Sequence, residues 1–184
     1  MDREEAQKFE QSLLEWLNDA YNLARWLLRD DQDAQDAVQE AFVRAVRFAG
    51  GFRGGDRRAW LLAIVRNVCY TLLSRNRAAA DNVTFDEEIH HGSADQAADP
   101  EAMVFNRLDR EALFGALEAL PVEFRETIVM REMEGLSYQE IAGAAGIPIG
   151  TVMSRLARAR ERLRLALRGK AGESGKSGRL RQIR

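Results

Sequence analysis

The strongest constraint on the fold is a short helix, a tight turn and a second helix within residues 137–163. Ser137 followed by Glu140 is a capping box, which begins a helix by satisfying two free backbone N–H groups. The run "GIP" at 146–148 ends this helix and redirects the chain. The second helix then carries one narrow apolar stripe at about 100° per residue, formed by Val152, Leu156, Ala159 and Leu163. The combination predicts a helix-turn-helix, a motif that places its second helix in a groove of DNA.

The opposite side of this second helix combines small residues with arginine. A helix in the major groove needs small side chains for close approach and an arginine for bidentate bonds to guanine, as Ser154, Ala157 and Arg158 provide. Arg155 and Arg162 lie to the sides and suit phosphates. The full set predicted to contact DNA is Thr151, Met153, Ser154, Arg155, Ala157, Arg158 and Arg162. The alternative is an ordinary solvated helix whose basic C-terminal residues are favoured by the helix dipole.

Charge is strongly segregated along the chain, although the formal net charge is only −2. Residues 1–40 hold eleven acidic and four basic side chains, whereas residues 44–77 hold one acidic and eight basic side chains. Residues 78–101 carry seven acids and no Lys or Arg, and residues 150–184 carry eleven bases and two acids. This alternation suggests two contacts with polyanions and at least one contact of opposite character.

Apolar residues recur at helical spacing in both halves of the chain, and no stretch has the alternation of a strand. An N-cap at Asp56 precedes the third of these segments, Pro121 begins the last one before the helix-turn-helix, and Gly135 ends it. The apolar residues that predict these helices run over 13–27, 34–45, 61–72, 108–120 and 124–133. Trp60, next to the third apolar stripe, is expected in the core rather than at a nucleic-acid base.

The fold class that follows is all-α, with two small helical domains joined by an acidic flexible linker and the helix-turn-helix in the second. A hydrophobic content of 46% is sufficient for a core in each domain. The predicted boundaries are 1–77 for the first domain, 78–101 for the linker, 102–168 for the second domain and 169–184 for a flexible basic tail.

Several classes of protein are disfavoured. The single Cys69 cannot form an internal disulfide, no apolar run approaches the roughly 20 residues that cross a bilayer, and the N-terminus is acidic where a signal peptide is basic. We therefore expect a cytoplasmic protein without membrane insertion. Adjacent His90 and His91 are poorly placed to share a metal. No nucleophile and base pair, Walker loop or paired carboxylates appear, so we expect no catalytic residue, metal or cofactor, and no enzymatic activity.

Three runs at characteristic separations closely resemble the extracytoplasmic-function (ECF) sigma factors of bacterial RNA polymerase, in the sigma-70 family. They are "DAQDAVQEAFVRAV", "FRGGDRRAWLLAIVRNVCYTLLSRNR" and "LPVEFRETIVMREMEGLSYQEIAGAAGIPIGTVMSRLARARERL". The resemblance covers both domains in order, about four fifths of the chain. It implies a sigma factor that directs core polymerase to one promoter class and initiates transcription by sequence-specific DNA binding and promoter melting. The second domain would read the upstream, minus-35 element. Relatives commonly have Lys or Arg where Met153 stands, and Met153 can offer only apolar contact, for instance to a thymine methyl.

The resemblance also assigns a polymerase contact to the acidic first domain. By match to the family, Asp36, Gln39, Glu40 and Phe42 would dock on the clamp helices of the largest subunit of core RNA polymerase. An acidic helical face beside an exposed aromatic side chain suits a basic partner surface. A solvated helix with Phe42 in the core is the alternative.

The basic third helix is similar to the family's reader of the downstream, minus-ten element, which melts the duplex and holds unpaired bases. Such a site needs cations for the backbone, amide or hydroxyl groups for a flipped base, and an aromatic surface. The residues that would supply these groups are Arg53, Arg57, Arg58, Arg66, Asn67, Tyr70 and Thr71. Family members often carry Asp or Asn where Thr71 stands, which leaves the base preference there open.

The acidic linker has a role in this interpretation. As a free coil its roughly 25 residues span only about 25–30 Å, whereas elements two helical turns apart are about 70 Å apart. If the linker is held extended in a basic channel of the polymerase, as the resemblance implies, it would span this distance. The alternative is that the linker is only a soluble tether. The expected partners are core RNA polymerase, promoter DNA and an anti-sigma factor. The alternative functions are a stand-alone helix-turn-helix regulator that binds duplex DNA as a dimer, and an enzyme acting on nucleic acid, which charge alone favours.

Overall fold

The computed structural model describes residues 3–52, 54–80 and 110–179, and the regular structure in these ranges is helical. The first half forms α1 (Arg3–Leu14), α2 (Leu17–Leu28), α3 (Asp31–Arg47) and α4 (Arg57–Ala80), with a 3-10 turn at Ala49–Gly51. The second half forms α5 (residues 110–118), α6 (Val122–Ile128), α7 (Tyr138–Ala145) and α8 (Ile149–Arg179), with a π-helical segment at Val129–Met133. The predicted all-α class is confirmed.

Alanine allows the helices of the first half to pack closely around α3. Four fully buried residues form one face of this helix: Ala34, Ala37, Ala41 and Ala45. Because each adds only a methyl group, α2 and α4 approach α3 closely, and both pack against it and against each other. The large core side chains come from the neighbouring helices: Leu13, Leu23, Leu27, Leu61, Leu62 and Val65.

The prediction of one helix across residues 13–27 was wrong, because the chain leaves helical geometry at Trp16 (φ −108°, ψ 16°). The break turns α1 onto α3 and α4 and brings Phe9 into an aromatic cluster with Phe52 and Trp60, whose ring centroids lie 5.5–5.8 Å apart. Trp60 therefore packs against the core, as predicted. The apolar spacing continues in phase through the break, so periodicity does not reveal it.

The caps predicted in the sequence form as expected. Asp56 accepts a hydrogen bond from the backbone N–H of Ala59 at 2.8 Å and begins α4. The capping box of α7 has both of its bonds, from the Ser137 N–H to Glu140 (2.7 Å) and from the Glu140 N–H to the Ser137 hydroxyl (3.2 Å). Gly146 ends α7 with φ 66°, a left-handed conformation that glycine adopts without steric cost.

The second half is organised by the stripe on α8, which packs on α6 and α7. The buried side chains of this half include Ile128, Val129, Met130, Leu136, Ile141, Val152, Leu156 and Ala159. The π-helical segment was not predicted; the Glu134 N–H donates to the Val129 carbonyl at 3.1 Å, an i to i−5 bond. Met133, grouped with the apolar residues in the sequence, is 45% exposed.

Two of the predicted domain boundaries fall within helices. α4 runs through Ala80, so the first three residues of the predicted linker 78–101 are helical, and the remaining ones lie outside the described residues. α8 continues through Arg179, so residues 169–179 of the predicted tail are helical. Residues 169–179 contain no proline, and each glycine within a helix costs only about 1 kcal/mol of helix stability relative to alanine.

The two halves are packed together, which the sequence did not predict. α4 lies against α7, and α2 lies against α6, so the buried side chains of both halves belong to one hydrophobic cluster. This contact places the basic face of α4 beside the helix-turn-helix. None of the described helices combines the length and the apolar character needed to cross a bilayer.

Candidate nucleic-acid interface

The N-terminal half of α8 presents the face that the sequence predicted. Val152, Leu156 and Ala159 are buried on one side. The opposite side exposes Met153, Ser154, Ala157 and Arg158, while Thr151 is half-buried beside them. Met153 is 54% exposed and does not pack against the stripe, so its thioether lies on the surface next to the small residues. The geometry matches what close approach to base edges requires.

The arginines of α8 differ in how much they are held by the protein. Arg162 lies over the ring of Phe124, 5.0 Å from its centroid, and Arg160 is paired with Glu132 at 2.6 Å. Arg158 makes no ion pair within the described part of the chain, and it borders a shallow concavity with Ala157 and Phe124. Arg158 is thus the cation best placed to contact a base, whereas Arg162 is pre-positioned by an aromatic face.

Arg155 is less accessible than expected. Its Nη1 donates to Glu126 Oε1 at 3.0 Å, and its side chain is only 22% exposed. Glu126 itself is fully buried at the base of α8. Arg155 therefore anchors α8 to α6 in this structure, in addition to the phosphate contact predicted for it.

The basic face of α4 contains three predicted residues that contact the second half of the chain. Arg66 donates to Glu126 through Nε (2.8 Å) and Nη2 (3.2 Å), and its guanidinium lies 4.3 Å from the centre of the Tyr70 ring. Burial and the neighbouring Glu126 raise the pKa of Tyr70 above its ordinary value. Arg58 donates to Glu134 at 2.9 Å and also pairs with Asp19. These side chains converge on buried carboxylates and are not free.

Two other predicted residues of α4 remain exposed. Asn67 and Thr71 lie one turn apart, and the Thr71 hydroxyl donates to the Asn67 carbonyl at 2.9 Å. Arg57, at the start of α4, is exposed and lies 5.3 Å from the centre of the Phe9 ring. Arg53 lies outside the described residues. An amide, a hydroxyl and a cation are thus available on the open side of this helix.

Glu126 and Glu134 organise this face, and neither was predicted from the sequence. Glu126 is spaced one helical turn from the apolar Val122 and Met130, so it interrupts an apolar stripe. A buried carboxylate must be paired with a cation or be neutral. The position of Glu126 within an apolar stripe is therefore the sequence feature that could have predicted its ion pairs. Burial, with Asp19 nearby, raises the pKa of Glu134 to about 7, although Arg58 opposes the shift.

The acidic face of the first half is on α3. Asp36, Gln39 and Glu40 are exposed, and Glu40 pairs with Arg44 at 2.7 Å. Phe42 is partly buried, yet it lines a shallow groove between α2 and α3. The groove also includes Leu17, Tyr21, Val38, Gln39 and Val43. The two interpretations of Phe42 are therefore compatible, because it packs on the core and borders the surface.

Among the described residues, the remaining thiol, imidazole and carboxyl groups form no reactive or metal-binding cluster. Burial raises the pKa of the Cys69 thiol to about 12, so it stays protonated and unreactive at neutral pH. In the ranges that the structure covers, no three His, Cys, Asp or Glu side chains converge as metal ligands. His90 and His91 lie outside these ranges.

Family models match both halves of the chain. A model of Sigma-70 region 2 matches residues 13–79, and a model of Sigma-70 region 4 matches residues 110–163. The first match contains α2, α3 and α4, and the second contains the helix-turn-helix.

Relatives and solved structures give the same result. The chain is 33% identical to the RNA polymerase sigma-H factor of Pseudomonas aeruginosa, with 90% of this chain and 89% of that protein covered. It is 36% identical to the ECF RNA polymerase sigma-E factor of Escherichia coli, with 70% and 71% covered. The sigma factor RpoE in complex with the anti-sigma factor NepR from Bartonella quintana superposes with a TM-score of 0.70 at 29% identity, with 88% and 98% covered. CnrH in complex with the cytosolic domain of CnrY superposes with a TM-score of 0.64 at 26% sequence identity, with 89% of each chain covered.

Proposed function

The chain belongs to the extracytoplasmic-function sigma factors of bacterial RNA polymerase, and we propose on that premise how its two halves divide the work of initiation. As a sigma factor it directs RNA polymerase in transcription. The observation that carries this function is the match to Sigma-70 region 2 over residues 13–79 in the same chain as region 4. A stand-alone helix-turn-helix regulator has no need of such a domain.

The second half reads the upstream, minus-35 element through α8. Ser154 and Ala157 allow the helix to approach the base edges, and Arg158 bonds to a guanine, a contact worth about 1–3 kcal/mol of discrimination. Arg155 and Arg162 contact phosphates, which add affinity but not sequence preference. Met153, on the exposed flank next to Ser154, adds an apolar contact to a thymine methyl.

The first half melts and holds the downstream, minus-ten element through α4. Asn67 and Thr71, exposed one turn apart, offer hydrogen bonds to an unpaired base. Tyr70 and the guanidinium of Arg66 offer a stacking surface, and base stacking is worth about 1–3 kcal/mol per base. Arg57 and Arg58, with Arg53 in the preceding loop, hold the backbone.

The α3 face that contains Asp36, Gln39, Glu40 and Phe42 docks on the clamp helices of the polymerase's largest subunit. Three exposed polar or acidic side chains beside an apolar groove supply both charge complementarity and buried area. The chain catalyses no reaction itself and acts in the cytoplasm, where promoter DNA and core polymerase are found. An anti-sigma factor holds it inactive, a role supported by the similar sigma factors whose structures include anti-sigma partners.

In vitro transcription tests this function directly. Core polymerase, with and without the full chain, is given fragmented genomic DNA, and the 5′ ends of the transcripts are sequenced. We expect chain-dependent starts that share two short motifs about two helical turns apart. Starts that do not depend on the chain, or a single palindromic motif, would contradict the proposal.

A further inference from the structure

A shallow concavity lies on the surface of the second half, between the start of α6 and the middle of α8. Phe124 of α6 borders it on one side, and Ala157, Arg158, Glu161 and Arg162 of α8 border it on the other. All five residues belong to the second half. The α8 residues lie on the side of the helix opposite the buried stripe. The concavity therefore adjoins the surface with which α8 approaches DNA.

The lining between the charged side chains is apolar, and the structure holds it in place. Phe124 is half-buried and packs against the core. Its backbone N–H donates to the Pro121 carbonyl at 3.0 Å, which fixes it in the first turn of α6. Ala157 contributes only a methyl group, so no longer side chain of α8 at that position covers the ring. An immobile aromatic surface thus remains open beside the base-reading residues.

Arg162 is held by this ring in a way that leaves its hydrogen-bond donors available. The guanidinium carbon lies 5.0 Å from the centre of the Phe124 ring, and the side chain is exposed. A phenyl ring attracts a cation but has no oxygen or nitrogen acceptor, so the guanidinium N–H groups can still bond to an anion. Arg155 and Arg160 differ, because both donate to carboxylates.

The acidic residue at the rim is already paired. Glu161 accepts two hydrogen bonds from Arg164, at 2.8 and 2.5 Å, so its charge is offset on the side away from Phe124. Neither Arg158 nor Arg162 has a carboxylate partner among the residues that the structure describes. The concavity thus combines an apolar surface with two cations that are free to bind an anion.

One nucleotide unit of the DNA backbone has the complementary chemistry. The deoxyribose ring presents carbon atoms, and the phosphate beside it accepts hydrogen bonds from arginine. A base edge would account for Arg158 but not for the aromatic surface next to it. An acidic peptide would also satisfy the cations, yet the concavity adjoins Ser154 and Ala157, whose small size suits approach to a duplex. The position therefore favours DNA.

Resting on the proposed function, we propose that Phe124, Ala157 and Arg162 form a subsite for one deoxyribose-phosphate unit of the upstream element. Phe124 packs against the sugar and positions Arg162 for the phosphate, while Arg158 beside it bonds to a base. An arginine that is fixed before binding loses less side-chain freedom on binding, so the ring increases affinity. Phe124 adds no base preference, because every nucleotide carries the same sugar and phosphate.

Neutralising the phosphates one at a time tests the subsite. Holoenzyme is assembled from core polymerase and the full chain, and its affinity is measured for fragments of a promoter that it transcribes. Each fragment carries one uncharged methylphosphonate at a different phosphate of the upstream element. We expect one phosphate of the set to depend on Arg162, with a loss of about tenfold when it is neutralised, as for a hydrogen bond to a charged group.

Substitutions at the subsite should change the penalty at this phosphate alone. Arg162→Ala removes the partner of the phosphate, so neutralising it should have no further effect. Phe124→Leu keeps an apolar side chain but removes the ring. It should weaken binding of the unmodified promoter about two- to fivefold, the size of an exposed cation–π contact, and reduce the penalty at the same phosphate. Phe124→Tyr keeps the ring and should behave like the parent chain.

Arg160→Ala is the matched control. Arg160 is an arginine of the same helix, but it pairs with Glu132 at 2.6 Å and does not border the concavity. Its loss should leave the penalty at the sensitive phosphate intact.

Three results would overturn the subsite. They are a Phe124→Leu effect that is equal on all fragments, a penalty that persists in Arg162→Ala, and the absence of any phosphate that depends on Arg162. The last result would leave an acidic protein as the occupant of the concavity. A holoenzyme that transcribes its promoters but shows one of these results contradicts the subsite only, whereas a holoenzyme that binds no promoter contradicts the proposed function and the subsite with it.

Discussion

At the scale of single residues, the structure separates cations that are available from cations that are already held. Arg158 has no ion pair among the described residues, Arg162 rests on Phe124, and Arg155 is tied to Glu126. Side-chain direction around a helix predicted this division only in part, because the sequence does not show which arginine has a buried carboxylate beneath it.

Arg158→Ala and Arg162→Ala should therefore have different binding profiles. Loss of Arg158 should cost about 1–3 kcal/mol at the preferred upstream sequence and flatten the preference at one base pair. Loss of Arg162 should weaken binding to all sequences alike and reduce the salt slope by about one. Affinities for all single-base variants of the element, measured at two salt concentrations, check this; identical profiles would contradict the division of α8.

Glu134 should make the packing of the two halves against each other depend on pH. In the packed chain, burial and the nearby Asp19 raise the pKa of Glu134 to about 7, although Arg58 opposes the shift. When the halves separate, the carboxyl returns to water and its pKa falls toward the ordinary carboxylate range. A chain whose halves are packed together then binds more protons than one whose halves are separated, so packing is strengthened as the pH falls from about 7 toward the ordinary carboxylate range, and this group adds no pH dependence above about 7.

The fraction of chains with packed halves, followed between about pH 5 and about pH 8 by the distance between spin labels at Asn22→Cys and Ala166→Cys, checks this linkage. Glu134→Gln carries no titratable group and can still accept a hydrogen bond from Arg58, so its halves should stay packed with a flat profile. A parent chain whose packed fraction rises with pH would have the opposite sign and would rule out Glu134 as the titrating group.

At the scale of elements, locally encoded features were predicted best. The capping box, the Gly146 turn and the α8 stripe all form as the sequence indicated, because each depends on residues within a few positions of one another. The break at Trp16 and the π-helical segment were missed, since both leave the apolar periodicity intact. Glu126 was missed for a related reason, because its partner Arg66 lies 60 positions away in the chain.

The role in melting that we propose for α4 predicts a template-dependent defect. Asn67 is exposed on α4 and, if it holds a flipped base, helps to offset an unstacking cost of a few kcal/mol. Asn67→Ala should therefore reduce initiation more on a closed duplex than on a template with a mismatched minus-ten region. Run-off transcription from both templates provides the measurement. An equal loss on both would leave base contact as its role and exclude melting.

The docking role that we propose for α3 predicts a loss of polymerase binding without a loss of DNA binding. Asp36→Lys with Glu40→Lys reverses the charge of an exposed helical face, so it should abolish association with core polymerase and leave helicity unchanged. Size-exclusion chromatography with core polymerase and circular dichroism test it. Glu10→Lys with Glu15→Lys, on exposed positions in α1 and just after it, makes the same change of four charges and serves as the control for a general charge effect. Normal holoenzyme formation by the Asp36 and Glu40 variant would defeat the assignment.

At the scale of the whole molecule, the arrangement of the halves is what the sequence could least predict. Composition indicated two basic surfaces and an acidic one, but not that Arg58 and Arg66 of one basic surface pair with carboxylates of the other half of the chain. Cross-domain packing depends on side chains far apart in sequence: Trp26 with Phe114, and Arg58 with Glu134. Such pairs produce no periodic signal.

The most direct test of the account is the distance between the two halves in a working promoter complex. The chain with spin labels at Asn22→Cys and Ala166→Cys is assembled with core polymerase on one of its promoters, and the distance is compared with that in the free chain. We expect a change from a short distance to one on the order of 70 Å, because α4 and α8 then lie on separate elements. A short distance retained in a complex that produces transcripts would contradict the claim that the two halves read two elements at once.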